Sequence, residues 1–144
     1  AINMEVPFMR SYALALVQAC HKRGAPAIGG MAALIPIKGD AAANEKALAG
    51  VRHDKKRDAN DGFDGGWIAH PGLVQIAMEE FTAVLGDKPN QWGKQRDEKF
   101  AAADFLNFVP EAPITEAGLR NNINVGIHYL VPGWPATAAC PSTT

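Results

Sequence analysis

The chain has 144 residues, room for one ordinary domain with a modest core. Apolar residues make up 47% and charged residues 20%, as in a folded globular chain and unlike a disordered one. Fourteen basic residues against 15 acidic ones give a net charge of −1, so there is no electrostatic case for nucleic acid or for an anionic membrane. No apolar run approaches the ~20 residues of a membrane span. No signal-peptide pattern is visible. The chain opens on Ala1-Ile2-Asn3 in the manner of a mid-sequence stretch, so any targeting signals would lie outside it.

The expected order is helix, strand, helix, strand, helix, loop, helix. Pro7 stands where a helix tolerates it, in the first turn. Phe8, Tyr12 and Leu16 recur at four-residue spacing, with Ala15 and Ala19 beside them, and predict one buried stripe. Cys20 falls in this pattern and reads as a buried thiol, not as half of a disulfide framework with Cys140. His21, Lys22 and Arg23 suit the negative end of the helix, with His21 at the surface, and Gly24 stops it.

Ala27 to Ile37 is apolar throughout, as in a strand covered on both faces of a parallel sheet. Gly29 and Gly30 weaken such a strand unless another group approaches its backbone. Asp40 can cap a second helix whose apolar face is Ala43, Ala47, Leu48 and Val51. The run Lys55-Lys56-Arg57, flanked by Asp54 and Asp58, reads as a solvated helix face. Asn60-Asp61-Gly62 signals a turn.

Phe63 to Ala69 is a second buried-strand candidate, ended by His70-Pro71. Asp64, at its beginning, suits a turn or cap role better than acid–base work. Leu73, Val74, Ala77, Met78, Phe81, Val84 and Leu85 form the inner face of a third helix, stopped by Gly86. Asp87 to Lys99 is polar loop, and a short helix is expected over Ala102 to Phe108. Thr115 can cap a last helix, with Ile114 and Leu119 as a hydrophobic staple and Leu119, Ile123, Ile127 and Leu130 as its stripe. Strands alternating with helices imply βα units and a parallel sheet. Two strands alone make a poor sheet, so the pattern suggests part of a larger α/β domain.

Several stretches together resemble malate synthase, of the shorter, A type. They are Pro-Phe-Met-Arg-Ser-Tyr (7–12), Cys-His-Lys-Arg-Gly (20–24) and Ile-Gly-Gly-Met-Ala-Ala-Leu-Ile-Pro-Ile (28–37). Asn-Glu-Lys-Ala-Leu (44–48), Val-Arg-His-Asp-Lys (51–55) and Phe-Asp-Gly-Gly-Trp-Ile-Ala-His-Pro-Gly-Leu (63–73) follow. Pro-Asn-Gln (89–91) and Ile-Thr-Glu-Ala-Gly-Leu-Arg-Asn-Asn-Ile-Asn-Val-Gly-Ile (114–127) complete the set, in the family's order over residues 4–130.

The resemblance implies an α/β fold: a partial (β/α)₈ TIM barrel contributing its last βα units over residues 1–109, then a helix opening the C-terminal helical domain over 110–130. It also implies the reaction, condensation of acetyl-CoA with glyoxylate followed by thioester hydrolysis to malate and CoA in the glyoxylate cycle. In the family a Glu and an Asp hold Mg²⁺, an Arg stabilises the enolate and an Asp removes the methyl proton. None of these falls in the matching stretch, so the resemblance supplies no catalytic residue and no metal ligand here. The chain alone is expected to be inactive, at most a binding or interaction piece. The family occupies the cytoplasm in bacteria and the glyoxysome or peroxisome in eukaryotes.

Barrel enzymes do their chemistry at the carboxyl ends of the strands. Those ends fall near Met31 to Pro36 and Trp67 to Pro71, making Gly30, Met31, Trp67, His70 and Pro71 the candidates for a substrate or CoA pocket. The bland alternatives are strand–helix packing for Gly30, core filling for Met31 and Trp67, and a loop anchor for His70. Lys94 and Arg96 read as solvent-exposed rather than as partners of CoA phosphates. Missing strands would leave apolar edges uncovered, so self-association is expected.

Residues 131–144 depart from the family pattern. Codons exist for them that, read two bases later, spell Ala-Trp-Leu-Ala-Gly-Asn-Gly-Cys-Val-Pro-Ile-His-Asn, the family's continuation. A frame change near Val131 is therefore expected, with a tail not selected to pack.

Overall fold

A computed structural model describes residues 2–32, 36, 39–109 and 112–133. Its elements are α1 (Pro7–His21), β1 (Ile28–Ala32), α2 (Ala41–Asp61), β2 (Gly65–Ile68), α3 (Val74–Leu85), α4 (Ala102–Leu106) and α5 (Glu116–Gly133), with one 3₁₀ turn at Pro71–Leu73. The expected order holds. Residues 33–35 and 37 of the first predicted strand lie outside the described residues, as do residues 134–144 of the tail.

Several helix ends follow from local chemistry. Pro7 is the first residue of α1. The Asp40 carboxylate accepts the Ala43 amide at 2.9 Å and caps α2. Gly62 ends α2 in the left-handed conformation, φ +110°, which a side chain rarely tolerates. Thr115 Oγ1 accepts the Gly118 amide at 3.1 Å at the start of α5. The last predicted helix but one is shorter than expected, because α4 stops at Leu106.

β1 and β2 pair in parallel across α2, with Ile28 opposite Gly65, Gly29 opposite Gly66, Met31 opposite Trp67 and Ala32 opposite Ile68. The register shifts between Gly29 and Met31, so Gly30 is an extra residue in β1. Two small cores lie on the helix side of this pair. One joins Ala13 and Val17 of α1 with Ala27, Ala59, Phe63 and Phe81. The other joins Ala32, Val51 and Leu73, with Leu48, Ile68 and Ile76 packed against it. Cys20 is a free thiol, half-buried against the first core.

The strands are not covered on both faces. Ile28, Met31 and Trp67 are exposed, because two strands and their helices supply one layer of cover and, among the described residues, none covers the opposite face. For the same reason Val74 and Met78 of α3 are exposed while Leu73 and Phe81 are buried. The α1 stripe sits one position from its predicted place, burying Ala13, Val17 and His21. Phe8 turns instead to meet Phe108 edge-on, centroids 5.1 Å apart. Ile114, Leu119, Ile123, Ile127 and Leu130 are all exposed.

Two charged positions overturn the surface reading. Lys55, placed by sequence on a solvated face, is 1% exposed, and His21 is 3% exposed. Both lie where polar groups of the strands or their flanks offer partners that water would otherwise supply.

Candidate functional site

Because β1 and β2 run parallel, their carboxyl ends open on the same edge of the sheet. The Ala69 amide donates to the Ala32 carbonyl at 3.0 Å, carrying the pairing past the end of β2. Met31 and Trp67, 59% and 66% exposed, face each other across the strands on the side away from the helices. Their neighbours Ala32 and Ile68 belong to the helix-side core, as strand alternation requires.

His70 follows directly. Its Nδ1 accepts the Gly72 amide at 3.0 Å and caps the turn begun by Pro71. A nitrogen that accepts carries no proton, so in the neutral ring Nε2 is the donor. The loop-anchor reading of His70 holds, and the anchoring leaves an N–H for another acceptor.

The glycines divide. A Cβ on Gly29 would stand 2.7 Å from Asp58 Oδ2, and one on Gly66 would stand 2.9 Å from Lys55 Nζ. The group that approaches the backbone is therefore the Lys55–Asp58 pair of α2, laid under the sheet. Lys55 Nζ donates to the Gly30 carbonyl at 2.7 Å and to Asp58 Oδ2 at 3.2 Å. Arg57 Nη2 donates to the other Asp58 oxygen at 3.2 Å. A Cβ on Gly30 would meet nothing within 4 Å, so the space a side chain would take there is open, while its carbonyl is held by Lys55. Sequence reading missed Lys55 and Asp58; their signal was three-residue spacing on a helix opposite two paired glycine positions.

The other end of the sheet is closed by polar bonds. Asp64 accepts the amides of Ala27 at 2.7 Å and Gln91 at 2.5 Å and lies 3.0 Å from His21 Nε2. It is a structural hub, in line with the turn-or-cap reading. Gln91 donates to the carbonyls of Ala59 and Phe63. Lys94 Nζ donates to the Asn60 carbonyl, and Arg96 Nη1 to that of Asp61 at 2.7 Å. Lys94 is exposed, as expected, and Arg96 is half-buried, and both side chains staple the loop to these carbonyls.

The carboxyl end thus presents Met31 and Trp67 as an apolar wall, open space over the Cα of Gly30 and the His70 imidazole. A hard cation needs oxygen ligands, and these residues do not fit one. Among the described residues no three His, Cys, Asp or Glu side chains gather in a way that could hold a metal ion. A separate apolar groove of about 430 Å³ lies between β2 and α3, lined by Gly66, Ile68, Val74, Met78 and Phe81 among others; none of the five candidate residues lines it.

A sequence profile described as malate synthase, TIM barrel domain, matches residues 1–108. The chain belongs to the malate synthase family. It is 52% identical over 132 residues to malate synthase of Streptomyces clavuligerus, covering 90% of the chain and 24% of that protein. It is 51% identical over 129 residues to a bifunctional glyoxylate cycle protein of Caenorhabditis elegans, covering 90% of the chain and 13% of the relative. With malate synthase of Arabidopsis thaliana the identity is 47% over 143 residues, 97% of the chain and 25% of the relative. The chain therefore spans about a quarter or less of the curated malate synthases it matches. The parallel strand–helix–strand unit is mixed α/β, as a stretch of such a barrel domain requires.

Proposed function

We propose that this chain is one stretch of a malate synthase barrel, residues 1–109, followed by the opening helix of the C-terminal helical domain over 110–130. The parent enzyme condenses acetyl-CoA with glyoxylate and hydrolyses the thioester to malate and CoA. In this reading Gly30, Met31, Trp67, His70 and Pro71 form part of the pocket wall. The observation that carries it is the common carboxyl edge, where an uncovered apolar pair stands beside a free imidazole N–H in a family whose domain is a barrel.

The chemistry assigned to each is limited. Met31 and Trp67 offer flat apolar surface to a ligand and exclude water. His70 Nε2 can donate to a ligand oxygen, whereas its Nδ1 is held by Gly72 and is no general base. Mg²⁺, which the family reaction uses, would be held by carboxylates from other parts of the enzyme. The chain alone is therefore inactive.

The exposed stripe of α5 suits a helix that packs against other parts of a larger protein. The name of the Cucumis sativus relative, 47% identical, includes glyoxysomal. We read the location as glyoxysome or peroxisome in a eukaryote and cytoplasm in a bacterium. No described helix is long and apolar enough to cross a membrane. The frame change at Val131 is tested by the codons of 131–144.

The function is tested by incubating the 144-residue chain with glyoxylate, acetyl-CoA and Mg²⁺ and following free thiol. No thiol above background is expected, and malate formation would refute the reading. In the whole enzyme carrying this segment, Trp67→Ala and Met31→Ala should raise KM; unchanged KM for both substrates would remove them from the pocket.

A further inference from the structure

His21 closes α1, yet its ring is fully enclosed: its side chain is 0% exposed and that of Asp64 4%. With water excluded, both ring nitrogens must find partners within the protein. Nδ1 faces the Lys94 carbonyl oxygen at 3.2 Å, and Nε2 faces Asp64 Oδ2 at 3.0 Å. A carbonyl oxygen only accepts, and so does an ionised carboxylate. The two amides aimed at the Asp64 oxygens, from Ala27 and Gln91, likewise use it as an acceptor.

A neutral imidazole has one N–H and would satisfy one of these acceptors, leaving lone pair against lone pair at the other. The imidazolium satisfies both. The two acceptors lie on different segments, Asp64 beside β2 and Lys94 on the loop after α3. We propose that protonated His21 is a latch that holds loop 87–98 against the amino end of the sheet.

The charged surroundings are accounted for on each element. Asp64 is the anion touching the ring. Asp61 at the end of α2 is paired with Arg10 of α1, and its carbonyl takes Arg96 of the loop. Lys94 turns its ammonium to the Asn60 carbonyl, while Lys22 and Arg23 follow His21 on its own segment.

Lys94 and Arg96 make the loop a trypsin target. The test compares native-state cleavage of the full chain and of His21→Gln, normalised to a small peptide substrate. The variant should be cut roughly ten- to a hundredfold faster than the wild type, the worth of one charge-assisted hydrogen bond. Nitrogen NMR of the wild-type ring should show both nitrogens protonated. Equal cleavage of the two proteins, or a neutral tautomer in the wild type, overturns the latch. Where His21→Gln fails to fold, the wild-type ring signals decide alone.

Discussion

Lys55 Nζ lies 2.7 Å from the carbonyl oxygen of Gly30, so a buried cation on α2 holds the extra residue of β1. The bond ties the helix layer to the strand end where the pocket wall is assigned. It explains why Gly29 and Gly66, which flank the ion pair, leave no room for a side chain.

Lys55→Met should lower stability by about 2–4 kcal/mol, because Asp58 keeps its burial and retains only Arg57 as a cation. Adding Asp58→Ala should recover part of that loss, since removing both charges is cheaper than stranding one. Urea midpoints of the three proteins measure both effects. A double variant weaker than Lys55→Met would count against the pairing.

Substitution at neighbouring glycines should diverge. Gly29→Ala forces its Cβ against Asp58 and should cost about 1–3 kcal/mol. Gly30→Ala meets open space and should cost less than about 1 kcal/mol. Gly66→Ala meets the tip of a flexible lysine and should fall between them. Thermal melts of the three variants give the order.

Acidification should weaken two exposed pairings. Glu98 is held below the usual carboxyl range by its hydrogen bond to Arg96, and Glu79 by its bond to Arg52. A depressed folded-state value means the contribution is present above the ordinary carboxyl range and is lost as pH falls through the lowered value. Thermal midpoints of the wild type should drop between about pH 5 and pH 3, and Glu79→Gln with Glu98→Gln should shrink the drop. Solvent screening keeps the effect small.

Self-association should follow from the uncovered side chains of the sheet and of α5. Sedimentation of the wild type should show mass rising with concentration, and Trp67→Glu or Ile123→Glu should reduce it. A concentration-independent monomer would remove this expectation.

The helices were legible wherever a residue acts on its own backbone. Pro7, Asp40, Gly62 and Thr115 announce ends that the structure keeps. The strands were legible as apolar runs, but a run cannot say which face is covered, so Met31 and Trp67 read as buried candidates although they stand open. Lys55 and His21 were misplaced for a different reason. Their types favour solvent, and only the path of α2 under the glycines, or of the loop beside Asp64, reveals a partner. Of the candidate site, the strand-end positions were readable from the alternation of elements. The support beneath them was not, because it comes from a helix face assigned to water.

The chain after α3 returns to the amino end of the strands, where Gln91, Lys94 and Arg96 fasten it to backbone carbonyls. Having been spent there, this stretch cannot also roof the opposite rim above Met31 and Trp67. Any lid that shuts a guest molecule away from bulk water must arrive from another part of the polypeptide.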